Sequence, residues 1–190
     1  MPLPPPSARR HIHSRKVHCE GFLREDGLWE VEAALVDQKP FPHKDWERGP
    51  RQPEDPVHKM SIRLTVDRNL VIVGAVGAMD DVPYATCQDV PPRMAALVGV
   101  RLGSGWREAV RERIGRRQNC THMFELIGPA ITTLYQSMSY REPPDEGAAH
   151  EAKTNPPRPY FLDGCYSWRI DGPVVAKHFP MFATKAEEKA

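Results

Sequence analysis

Several short segments carry residue types that could do chemistry. The densest is Met79-Asp80-Asp81-Val82-Pro83-Tyr84-Ala85-Thr86-Cys87. It follows the apolar run Leu70–Met79, so a buried strand would deliver two carboxylates, a phenol and a thiol to the edge of a core. Asp80 and Asp81 are then candidate acid–base groups, and Tyr84 would steady an oxyanion or phenolate. The same residues suit a loop whose aspartates bond local backbone. A second segment is Asn119-Cys120-Thr121-His122. If Asn119 caps a helix, Cys120 and His122 lie in its first turn, where the helix dipole favours thiolate. C-x-H also fits two ligands of one metal, or a small buried cysteine beside a backbone-bonded histidine. His58 could act as a base or ligand because imidazole titrates near neutrality; a solvated histidine is the plain alternative. Arg63 would hold a substrate carboxylate or phenolate, or sit on a solvated sheet face. Asp37, at the end of a hairpin, has a similar claim. Trp29, Trp106 and Phe124 would line an aromatic-sized cavity.

These residues need elements to position them. Asp26-Gly27 marks a hairpin with arms Val17–Arg24 and Trp29–Asp37, in which Trp29, Val31, Ala33 and Leu35 share one face. A second hairpin runs through Met60, Ile62, Leu64 and Val66, turns at Arg68-Asn69 and returns along Leu70–Met79. Three helices follow. Pro91/Pro92 opens the first. Ser104 caps the second, with Trp106, Val110 and Ile114 on one stripe. Asn119 caps the third, which Pro129 should kink. Tyr160–Phe179 reads as another strand pair. Strands first and helices after imply an α+β fold: an antiparallel sheet of two or more hairpins with three helices on one face.

Composition bounds the partners. The chain has 190 residues and a formal net charge of +1, with 26 Lys+Arg against 25 Asp+Glu. That balance gives no electrostatic case for nucleic acid. The basic run Arg9–Lys16 lacks interleaved aromatics for base stacking and reads as a solvated arm. No apolar run approaches the roughly 20 residues a bilayer span needs, and Met1–Pro6 lacks the apolar stretch of a signal peptide. A cytoplasmic protein is the expectation. Its four cysteines, none in a CxxC, would then remain thiols. Twenty prolines are about twice the usual share of roughly 5%, and fourteen of them fall in three stretches, Pro2–Pro6, Pro40–Pro56 and Pro143–Pro159. They suggest a flexible leader over 1–15 and a single α+β domain over 16–142 with a proline-rich loop at 40–57. Beyond lie 143–182, a loop and strand pair packing on the domain, and a flexible tail at 183–190.

The order of motifs resembles a bacterial family known only as an uncharacterised domain of unknown function. The motifs are R-x-D-G-x-W at Arg24–Trp29, A-L-V-D-x-K at Ala34–Lys39 and H-K-M-x-I-R-L-T-V-D at His58–Asp67. D-x-P-Y-x-x-C ends at Cys87, and N-C-T-H-M-x-E-L spans Asn119–Leu126. The resemblance covers roughly residues 8–140. More distantly, the element order is similar to the NifU/SufE-type iron–sulfur scaffold fold. There Cys87 looks like the loop cysteine, Cys120 with His122 like the later ligand pair, and Asp37 like the aspartate near the first ligand. No cysteine accompanies Asp37, which departs from that pattern and leaves a mixed Cys/His/Asp zinc or iron site as what the likeness implies.

Two readings result. In the first, the chain is a small enzyme using His58, Asp80, Asp81, Tyr84 and His122 on a small aromatic molecule held by Arg63, Trp29, Trp106 and Phe124, without a cofactor. The best-suited step is a carbon–carbon lyase reaction of the retro-aldol, deformylating type, with a hydrolase second. Association with such families suggests aromatic catabolism. In the second, Cys87, Cys120, His122 and Asp37 hold zinc or iron. A homodimer is compatible with both.

Overall fold

A tight turn organises the first hairpin. β1 (Ser14–Leu23) and β2 (Trp29–Gln38) pair antiparallel from Ser14↔Gln38 to Leu23↔Trp29. Gly27 sits in the turn at φ 80°, a backbone region that costs glycine nothing. A short hairpin follows, β3 (His43–Asp45) with β4 (Gly49–Arg51). Then β5 (Pro56–Val66) pairs with β2 on one side and β6 (Ile72–Asp81) on the other, giving the order β1-β2-β5-β6. This computed structural model describes residues 3–115, 117–138, 158–159 and 161–184.

Alternation makes the sheet one-sided. Val31, Ala33 and Leu35 of β2, Met60, Ile62, Leu64 and Val66 of β5, and Ile72, Ala75 and Met79 of β6 are buried. Helical segments cover that face. A 3-10 segment Pro91–Leu97 buries Met94 and Leu97, α1 (Trp106–Ile114) buries Val110 and Ile114, and α2 (Thr121–Ser137) buries a stripe from Met123 to Leu134. Together they form one core. Each fully buried side chain of this kind contributes about 1.5–3 kcal/mol. The fold is therefore α+β, an antiparallel sheet with three helices against it. The opposite face is left to polar pairs such as Arg63 with Glu32, Nε to Oε1 2.7 Å.

Local details differ from the sequence expectations. β1 begins at Ser14, so the expected leader is two residues too long; cross-strand pairing to Gln38 and Asp37 recruits Ser14 and Arg15. The proline-rich loop contains the β3–β4 hairpin, because its prolines fall where no inner-sheet donor is needed. Asp80 and Asp81 end β6 rather than entering a loop. The cap of α1 is Gly105, at φ 81°, not Ser104, and that of α2 is Cys120, not Asn119. Asn119 Oδ1 instead accepts a hydrogen bond from the Cys120 N–H at 2.8 Å.

The chain divides into two compact units, Met1–Tyr140 and Arg141–Ala190. In the second, the expected strand pair is replaced by helical turns: 3-10 segments Tyr166–Trp168 and Pro180–Phe182, and α3 (Pro173–His178). Pro173 suits the first turn of α3, where no N–H partner is required. The Asp163 carboxylate accepts the Ile170 N–H at 3.0 Å, and the Phe161, Trp168 and Phe179 rings meet at 4.8–5.7 Å. The loop expected after residue 142 and most of the expected tail lie outside the described residues.

Gly21 tests this packing. A Cβ there would overlap the Ser137 side chain at the end of α2. Gly21→Ala is expected to lower stability by about 1–3 kcal/mol in chemical denaturation. Gly103→Ala, with open space around it, should stay within about 0.5 kcal/mol of wild type.

Candidate functional site

The buried row of β2 ends in a charge. Asp37 continues the Val31, Ala33, Leu35 alternation and is only 1% exposed. Its register neighbours are Arg15 on β1 and His58 on β5. His58 likewise continues the Met60, Ile62, Leu64 row. A polar row therefore crosses three strands at the end of an apolar face. Burying a carboxylate is costly unless it is paired and hydrogen-bonded, and Asp37 is both. Arg15 donates Nε to Oδ1 at 2.8 Å and Nη2 to Oδ2 at 2.9 Å, a bidentate pair. His13 Nε2 reaches Oδ1 at 3.2 Å, and His58 Nδ1 reaches Oδ2 at 3.0 Å. Burial alone would raise the Asp37 carboxyl, but Arg15 and His13 reverse this and hold it at about 2.

The first turn of α2 closes the row from above. His122 lies beside His58 with ring centroids 3.9 Å apart and planes tilted by 33°, and its Nε2 lies 3.8 Å from Asp37 Oδ2. Arg15 also reaches up to α2, pairing with Glu125 at 2.5 Å. On the far side, His122 Nδ1 is 3.6 Å from Cys120 Sγ. The two imidazoles are driven apart electrostatically. Burial lowers the His58 pKa, and the neighbouring His122 adds to this against the pull of Asp37. The hydrogen bond with Cys120 raises His122 and, against burial, lowers Cys120.

Because Asp37 is ionised and only accepts, His58 must donate from Nδ1, leaving its Nε2 lone pair available when the ring is neutral. A cleft of about 380 Å³ opens here, lined by His58, Tyr84, Cys87, Cys120 and His122 with apolar Met60 and Val82. A second cleft of about 820 Å³, lined by Arg111, Ile114 and Phe124, shares Asn119, Cys120 and Thr121 with it.

The structure thus brings together Asp37, His58, Tyr84, Cys87, Cys120 and His122, with Phe124 on the adjoining wall. It does not bring in the other expected residues. Asp80 pairs with Lys59 at 3.4 Å, and Asp81 with Arg48 and Arg51 of the β3–β4 region at 3.3 and 3.6 Å. Arg63 lies on the uncovered face with Glu32. Trp29 is eight residues from Asp37 along β2, roughly 27 Å away. Trp106 does not line the His58 cleft; it lines a further recess of about 210 Å³ that shares Arg111 and Phe124 with the second cleft. His13 and Arg15, not singled out in the sequence, belong to the cluster. The Asp26-Gly27 signal came within one residue: a turn centred on that pair sets Lys16 opposite Asp37, whereas the observed turn is centred on Asp26 and sets Arg15 there.

Asp37, His58 and His122 place one ligand atom each within 4.8 Å of one another. Two histidines and a carboxylate suit zinc or divalent iron. Here the Arg15 guanidinium already spans both Asp37 oxygens, and a cation would have to displace that positive charge. The arrangement fits a charge-paired acid–base cluster better than a ligand set.

These features define a one-sided α+β domain with a buried Asp–His centre under a helix N-terminus. The chain belongs to the family described as protein of unknown function DUF2889, whose sequence profile matches residues 13–136. That span includes the whole cluster. Comparison with curated proteins and with solved structures found no match, so the similarity to the NifU/SufE-type scaffold is not among the relations these comparisons show. No helix among the described residues is long and apolar enough to cross a membrane.

Asp37 should leave a pH signature. Its folded pKa, about 2, lies below the ordinary 3.8. Its contribution of about 2 kcal/mol is therefore complete above pH ~5 and fades as pH falls through 3.8 towards 2. In urea titrations, Asp37→Asn should be less stable than wild type by about that amount at neutral pH, and the gap should narrow below pH 4. A gap independent of pH would show that the carboxylate charge is not what stabilises the cluster.

Proposed function

We propose that the protein is a small enzyme that uses His58 as a general base and His122 as a general acid on a small molecule. The observation that carries this reading is the close histidine pair itself. Two histidines 3.9 Å apart on one buried carboxylate have pKa values shifted in opposite directions. Groups whose environments push their pKa values apart make a natural base and acid.

The reaction that suits this pair without further machinery is a retro-aldol carbon–carbon cleavage. Neutral His58 Nε2 takes the proton of a primary alcohol. The C–C bond breaks, its electron pair enters a conjugated carbonyl or aromatic acceptor, and formaldehyde leaves. His122 returns a proton to the electron-rich fragment, so R–CH₂OH becomes R–H and formaldehyde. Tyr84 in the cleft can meet a phenolate or carboxylate, and Phe124 and Ile114 of the adjoining cleft supply an apolar wall for an aromatic ring. This supports an aromatic substrate and is compatible with a role in aromatic catabolism.

Formaldehyde release from a panel of aryl compounds bearing hydroxymethyl groups tests the reading. Activity requires neutral His58 and protonated His122. The rate should rise through the lowered His58 pKa and fall through the raised His122 pKa, giving a plateau that spans the ordinary histidine value of 6.5. His58→Gln should lower kcat by about 10²–10⁴ while the thermal melt is retained. Stoichiometric zinc or iron in purified protein, lost in His122→Ala, would instead identify a metal centre built on Asp37, His58 and His122.

A further inference from the structure

The acid–base pair leaves one reactive group of the cleft without a task. We propose that Cys120 is a nucleophilic thiolate, paired with His122, that adds to the carbonyl carbon of small aldehydes. A nucleophile, a base within reach and a third group orienting that base are the signature of covalent catalysis. Here the nucleophile and base are Cys120 Sγ and His122 Nδ1, 3.6 Å apart, and Asp37 Oδ2 lies 3.8 Å from His122 Nε2, within ion-pair range of the protonated ring but beyond a hydrogen bond.

Position supports reactivity. Cys120 is the cap residue of the 17-residue α2, where the helix dipole favours negative charge. The first-turn N–H groups of His122 and Met123 also favour the thiolate. The residue lines both clefts, so it can be reached from either side. The other cysteines contrast with it. Burial raises the pKa of Cys19 and Cys87, and Cys165 is an exposed thiol in the second unit.

The addition balances without an oxidant. The sulfur lone pair forms the C–S bond, the carbonyl π pair moves to oxygen, and that oxygen takes the proton of the His122 imidazolium. The product is an S-hydroxyalkyl thiohemiacetal, and the reverse step frees the aldehyde. Choosing formaldehyde as the aldehyde rests on the lyase reading, because formaldehyde would be released in the same cleft. The reactivity of the thiol does not rest on it.

The full chain would be treated with limiting iodoacetamide at pH 7, and the labelled peptides quantified by mass spectrometry. Cys120 should react about tenfold or more faster than Cys165, since alkylation follows thiolate fraction. His122→Gln should bring Cys120 down towards the Cys165 rate. Millimolar formaldehyde should slow labelling of Cys120 selectively, and its removal should restore the rate. Equal or slower labelling of Cys120 overturns the proposal. So does fast labelling that formaldehyde leaves untouched, which removes the aldehyde assignment. If His122→Gln does not fold, the Cys120-to-Cys165 ratio in wild type still decides. No turnover is involved, so failure of the lyase assay and failure of this one are separate results.

Discussion

A carboxylate in an apolar row is the constraint around which the domain is built. Asp37 occupies a position that the alternation of β2 assigns to the core, and it is 1% exposed. An isolated charge there would be pushed back to its neutral form. Arg15 prevents this from the neighbouring strand, with His13 and His58 completing the oxygen contacts. The same guanidinium pairs with Glu125 on α2. One interaction therefore holds a strand end, the adjacent strand and the covering helix in register.

The chemistry of the cleft descends from that charge. Asp37 sets the tautomer of His58, so its free nitrogen can accept a proton. Cys120, at the helix cap, sets the opposite bias on His122 by raising its pKa through their hydrogen bond. Two residues of one type thereby acquire pKa values shifted in opposite directions through their neighbours alone. The cost falls locally: the cluster displaces apolar contacts from one end of the sheet, and the long buried rows of β2 and β5 carry the stability instead.

The β3–β4 hairpin supports the cleft from outside. Arg48 pairs with Asp45 and reaches Asp81, and Arg51 also reaches Asp81, which ties the hairpin to the end of β6. Glu47, between the two short strands, accepts the Ala85 N–H at 2.9 Å and so steadies the segment that carries Tyr84 and Cys87. The acidic pair that looked most reactive in the sequence is used in this scaffold. Asp81 lies between two arginines and Asp80 faces Lys59.

Much of the architecture was legible in the sequence because it rests on local patterns. Period-two alternation marked β2 and β5, Asp26-Gly27 marked the turn between β1 and β2, and the apolar stripe from Met123 to Leu134 marked α2. His58, Asp37, Cys120 and His122 stood out by residue type. Their assembly did not, because it depends on which strands neighbour each other and where a distant helix begins. Arg15 looked like part of a solvated basic arm until cross-strand register set it opposite Asp37. Trp29, on the same strand, was carried to the far end of the sheet by the 3.4 Å rise per residue. The C-terminal segment misled for the converse reason: its alternation is brief, and Pro173 with the Asp163 side-chain bond favours helical turns. Local chemistry determined which elements form and which residues can react. Only the tertiary structure decided which of them share a buried charge, because burial and register are properties of neighbours far apart in the chain.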